Sequence, residues 1–126
     1  MRVYLHGELG AGKTTLIRGL LRHLGVRDRV KSPSYALVEL YAVSRLNLYH
    51  FDFYRFISPH EFGAAGFADY FAGDGVCLVE WPEKAAGVLP PPDLELWFTY
   101  ANSGRNINID AFTEAAERCL TELHNA

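Results

Sequence analysis

Residues 7–15 read Gly7-Glu8-Leu9-Gly10-Ala11-Gly12-Lys13-Thr14-Thr15, which satisfies G-x-x-x-x-G-K-[ST], the pattern of a phosphate-cradling loop. Its glycines admit backbone conformations that a Cβ makes costly, so successive N–H groups can converge on one anion. The backbone of Glu8, Leu9, Gly10, Ala11, Gly12, Lys13, Thr14 and Thr15 is therefore expected to hold the phosphates. The Lys13 ammonium would reach the β- and γ-phosphate oxygens from the loop surface, and the Thr14 hydroxyl would ligate Mg²⁺. Working outward, the β-prone run Val3-Tyr4-Leu5-His6 precedes the loop. Leu16, Ile17, Leu20, Leu21 and Leu24 follow it as one helical stripe, with Gly25 as the stop. Strand, loop and helix stand in the order a P-loop needs, which predicts an α/β fold: a P-loop NTPase-like three-layer sandwich with a mixed, mostly parallel sheet.

The chain has 126 residues, 49% of them hydrophobic, and a net charge of −3. That suits a single domain over residues 1–126 and disfavours direct grip on nucleic acid, which usually needs a basic surface. Cys77 and Cys119 form no CxxC pair, and Cys77 within its apolar run reads as a buried thiol of a reducing compartment. No apolar run nears membrane-spanning length and no secretory signal precedes Val3, so a soluble cytoplasmic protein is expected, with no membrane contact.

Further along, residues 37–41 and 46–53 read as a strand pair turning at 42–45, and 59–66 as a short helix capped by Ser58 with Pro59 in its first turn. Val76-Cys77-Leu78-Val79 reads as a central strand buried on both faces. Pro90-Pro91-Pro92 is a stiff connector. Strands at 94–100 and 106–110 turn at Asn102-Ser103-Gly104, and a helix over about 111–123 closes the chain. Nucleotide sites of such sheets lie beyond the strands' C-terminal ends.

A P-loop needs a second metal-side acid, usually closing an apolar strand. Glu80 ends the 76–79 run in that way and is the catalytic and metal-side candidate, the other reading being an ordinary strand-end acid facing water. Asp52, in His50-Phe51-Asp52-Phe53-Tyr54-Arg55, has two readings: an acid positioning metal or water, or a structural ion pair with Arg55. His50 reads as a packed, hydrogen-bonded histidine rather than a base. Ser32-Pro33-Ser34-Tyr35 is a restrained loop with two hydroxyls, either a plain turn or a switch sensing the γ-phosphate.

Taken together, the P-loop, Val30-Lys31-Ser32-Pro33-Ser34-Tyr35, His50-Phe51-Asp52-Phe53-Tyr54-Arg55 and Val79-Glu80-Trp81-Pro82-Glu83 resemble the TsaE (YjeE) family. The resemblance runs from Val3 to about Arg105. It implies ATP with Mg²⁺ as cofactors and weak ATP hydrolysis in support of threonylcarbamoyl transfer to adenosine in tRNA. The implied partners are TsaD and TsaB, with tRNA met only through the complex. By position it places Lys13 and Thr14 at phosphate and metal, Glu80 as the other metal ligand and Asp52 as the further acid. Ser34 falls at a switch position usually held by Thr, and Arg105 at an arginine that touches nucleotide. The family also implies a strand and helix ahead of the P-loop strand, whereas Met1 stands almost directly before it here. An uncovered edge and an open base pocket are therefore expected, and restoring such a segment is expected to raise melting temperature and ATP affinity. The alternatives on the same loop are a small-molecule kinase, though no arginine-rich lid is legible, and a nucleotide-gated interaction module. A GTPase would need N-K-x-D, and the sequence has none.

Overall fold

A computed structural model describes residues 1–8, 10–27, 37–43 and 45–125. Strand β1 (Arg2–His6) lies in the middle of a six-stranded sheet, with β2 (Val38–Val43), β3 (Leu46–Asp52) and β4 (Val76–Glu80) on one side and β5 (Leu94–Ala101) and β6 (Gly104–Ala111) on the other, in the order β2-β3-β4-β1-β5-β6. The four inner strands are parallel, and each edge strand pairs antiparallel with its neighbour. The mixed sheet follows from its connections. The inner strands are joined by crossovers, whereas β2–β3 and β5–β6 are hairpins. The edges are β2 and β6, and β1 is paired on both sides.

Alternation along the inner strands sends side chains to two separate cores. One face carries Tyr4, Phe51, Phe53, Cys77 and Val79 against Phe62, Phe67 and Phe71. The last three come from α2 (His60–Ala64), α3 (Ala68–Ala72) and the turn between them. Helices of five residues do not persist alone. They hold because their rings pack on the sheet, Phe51 to Phe71 at 4.9 Å and Phe53 to Phe62 at 6.1 Å between centroids. Burial of each such ring contributes roughly 1.5–3 kcal/mol. Cys77 lies in this core, and burial pushes its thiol up to about 11.

The other face carries Leu5, Leu48, Leu78, Leu96 and Phe98 against Ile17 and Leu21 of α1 (Lys13–His23). Gly25 ends α1 as the spacing predicts. Its φ is +101°, its N–H donates to Arg22 O, and Val26 N–H donates to Leu21 O, the paired bonds of a glycine C-terminal cap. Leu16 and Leu20 of the predicted stripe remain more than a third exposed. They line an apolar groove of about 410 Å³ that continues to Leu120 and Leu123 of α4 (Glu114–Asn125). Among the described residues no helix is long and apolar enough to cross a membrane.

Several boundaries differ from the sequence reading. Strand β2 runs on to Val43, pairing Ala42 with Asn47, because the ladder outweighs the weak turn signal at 42–45. Helix α4 starts at Glu114, not near 111. Ala111 still pairs with Leu94, and the Thr113 hydroxyl caps the helix by accepting Ala116 N–H at 3.2 Å. Helix α2 starts at His60, but Ser58 accepts its N–H through Oγ at 3.3 Å, and Glu61 accepts Ser58 N–H at 2.9 Å. The capping signal is thus realised just outside the helix. Helix α3 carries no periodic signature and escapes the sequence reading.

Asp93 ties the strand starts together. It accepts Arg2 N–H at 2.7 Å and the Thr113 hydroxyl at 2.9 Å. Burial raises its carboxyl, but these bonds outweigh that and leave it below the usual aspartate value. A carboxyl lowered in the folded state stabilises above its unfolded value of about 3.9 and loses that contribution as pH falls through its folded value. Asp93→Asn is expected to cost about 1 kcal/mol near neutral pH, or a few degrees of melting temperature. Thermal melts of both proteins from pH 7 downward should converge at acid pH. A gap that stays constant would mean the carboxylate charge contributes nothing.

Candidate functional site

The loop after β1 turns back sharply into α1, and Gly7 makes the turn possible. Its φ is +153°, and an added Cβ would lie 3.0 Å from both Cβ and O of Phe98. Gly12, at φ +105°, then opens the helix, whose first free N–H groups face the loop's mouth. A cleft of about 420 Å³ lies there, lined by Gly10, Gly12, Lys13, Thr14, Thr15, Asp52, Tyr54, Arg55, Glu80 and Trp81. It sits beyond the C-terminal ends of β1, β3 and β4, where the parallel sheet places it.

Lys13 departs from expectation. It is buried, 4% exposed, rather than standing on the loop surface. Its Nζ donates to Gly7 O at 2.6 Å and lies 3.8 Å from the centre of the Trp81 ring. The loop carbonyl and the indole face thus hold the ammonium between them. Burial lowers the Lys13 ammonium below the usual lysine value, while the carboxylates of Glu80, Glu83, Asp52 and Glu8 pull the other way. Trp81 reaches this position through a left-handed backbone, φ +58°, directly after β4.

The acids of the two predicted motifs meet. Asp52 and Glu80 close adjacent parallel strands as register partners and are buried, at 6% and 3% exposure. The Thr14 hydroxyl lies 3.0 Å from both Glu80 carboxylate oxygens. Asp52 Oδ1 accepts Tyr54 N–H at 2.9 Å, which turns the chain out of β3 and across the cleft. Beneath Glu80, fully buried His50 places Nε2 2.6 Å from Oε2. The donor set facing the cleft, a threonine hydroxyl beside two carboxylates, consists of hard oxygens. That fits Mg²⁺, which binds through one or two carboxylates plus phosphate and keeps several waters.

Arg105 stands at the far rim, its guanidinium 4.2 Å from the Tyr100 ring centre and Nη2 3.4 Å from Gly10 O. The β5–β6 hairpin therefore leans against the P-loop, although Arg105 does not line the cleft itself. Glu8 is exposed, and its carbonyl accepts Ala11 N–H within the loop. Leu9 and Ser34, with the whole 32–35 stretch, lie outside the described residues. The sequence reading gave no role to Trp81, Tyr54 or Tyr100. Trp81 was signalled by its place directly after the strand-end acid, but a contact with Lys13 across 68 residues has no local signature.

The family profile described as "Threonylcarbamoyl adenosine biosynthesis protein TsaE" matches residues 1–107. The chain is 45% identical over 123 residues to the tRNA threonylcarbamoyladenosine biosynthesis protein TsaE of Haemophilus influenzae, covering 98% of this chain and 78% of that protein. It is 38% identical over 120 residues to the protein of that name from Bacillus subtilis, covering 94% and 75%. The match to the Treponema pallidum protein of that name is 42% identical and spans 64% of its length. A crystal structure of YdiB from Bacillus subtilis superposes with a TM-score of 0.81 at 34% identity, over 98% of this chain and 76% of that one. With the P-loop fold and the paired strand-end acids in place, the chain belongs to the TsaE family of tRNA threonylcarbamoyladenosine biosynthesis.

Proposed function

We propose that the chain binds ATP with Mg²⁺ and hydrolyses it slowly, in the cytoplasm, to support threonylcarbamoyl transfer by its partners TsaD and TsaB. The observation that carries this reading is the meeting of Lys13 and Thr14 with Glu80 and Asp52 in one cleft. The loop amides and the start of α1 bind the phosphates, and Lys13 exchanges Gly7 O for phosphate oxygen. Thr14 and Glu80 hold Mg²⁺, and Asp52 orients the attacking water. Bound there, Mg²⁺ would neutralise charge on the β- and γ-phosphates. Arg105, leaning on the loop from the hairpin, contacts the nucleotide from the rim. Contact with tRNA is made through the complex, in keeping with the net charge of −3.

Phosphate release measured with and without TsaD and TsaB tests this. Slow turnover alone and faster turnover with both is the expected result. No turnover in either condition would leave a nucleotide-gated module instead. Glu80→Gln is expected to keep metal-free nucleotide binding and to lose about tenfold of the affinity that Mg²⁺ adds, since the amide keeps the shape and removes the charge a hard cation prefers. Calorimetric titrations of ATP with Mg²⁺ and with a chelator read this directly. An unchanged magnesium effect would make Glu80 a structural acid.

A further inference from the structure

On β3 the side chains facing α1 run Leu48, His50, Asp52, and on β4 they run Leu78, Glu80. The sequence of each strand thus passes from apolar to ionisable toward the cleft. His50 stands one step below the acids and has no exposed surface. A leucine at such a position would pack without cost, whereas a buried imidazole is costly unless paired. A carboxylate only accepts, so Nε2 carries the proton and donates to Glu80 Oε2 at 2.6 Å. Nδ1 has no hydrogen-bond partner among the described residues. Among the described residues the histidine therefore has one hydrogen-bond partner, Glu80.

Glutamate is one methylene longer than aspartate and carries one more rotatable bond, so holding its carboxylate in a fixed place costs more entropy. Within the cleft, Glu80 Oε1 has the Thr14 hydroxyl at 3.0 Å, and Oε2 has Thr14 at 3.0 Å and His50 at 2.6 Å. From these contacts we propose that His50 is a positioning residue: it anchors Glu80 Oε2 from below so that Oε1 faces the cleft beside Thr14, ready for the cation of a metal–nucleotide ligand. This rests on the Mg²⁺–ATP reading above and adds a residue to it that touches neither metal nor nucleotide.

Two variants of similar size separate anchoring from packing. The Gln amide nitrogen can stand where Nε2 stands, whereas the Asn amide nitrogen reaches only the position of Nδ1. ATP is titrated calorimetrically with Mg²⁺ and with a chelator, alongside thermal melts. His50→Gln is expected to keep the affinity that Mg²⁺ adds to within about twofold, and His50→Asn to lose about tenfold of it, as hydrogen-bond partners of metal ligands do. Metal-free affinity and the melting temperatures of the two variants should stay alike. In a Glu80→Gln background, His50→Asn should cause no further loss. A His50→Asn protein with the wild-type magnesium effect, an additive loss in the double variant, or failure of both variants to fold would overturn the proposal. Absence of magnesium-coupled ATP binding in the wild type would overturn the nucleotide reading itself.

Discussion

Lys13→Ala is expected to weaken ATP binding by about 100-fold or more, because it removes the charged donor shared by two phosphates, worth about 3 kcal/mol. The lysine is buried against Trp81 and Gly7, so alanine removes packing as well as charge, and some loss of melting temperature should accompany it. Lys13→Met keeps most of the stem and separates the two effects. It should melt close to wild type and still fail to bind the triphosphate tightly. Calorimetry and circular dichroism on both variants check this, and wild-type affinity in either would dismiss the P-loop reading.

The second large effect concerns Asp52. Its carboxylate closes β3 beside Glu80 with Oδ1 fixed by Tyr54 N–H. Asp52→Asn is expected to lower the turnover number by about 100-fold, the scale of a positioned acid–base group, with ATP affinity changed by no more than about threefold. Single-turnover phosphate release beside calorimetric affinity separates the two. Equal losses in both would make Asp52 a binding group. Loss of the fold would favour the structural reading with Arg55.

How much of this was legible in the sequence depends on how local each signal is. The P-loop, its flanking strand and helix, and the Gly25 stop each rest on a few adjacent residues, and all appear where the spacing put them. Asp52 and Glu80 were each legible as acids closing strands. That the strands are neighbours, and that the two acids are register partners, is a property of the sheet and not of either segment. The same holds for His50, whose link to Glu80 crosses the sheet, and for Lys13, which rests on Trp81 instead of standing free. Helix α3 escaped notice because its five residues are held by Phe67 and Phe71 in the aromatic core rather than by propensity. Thr113 caps α4 three residues later than the apolar pattern suggested, since β6 continues through Ala111.

A crystal structure of the chain with Mg²⁺ and a non-hydrolysable ATP analogue tests most directly where the phosphates go. The β- and γ-phosphates are expected within the 7–15 loop, with Lys13 Nζ moved from Gly7 O onto phosphate oxygen. The metal is expected against Thr14 Oγ1 and on the Glu80 side of the cleft. Triphosphate bound elsewhere, or Lys13 still on Gly7 O with nucleotide in the cleft, would contradict this placement.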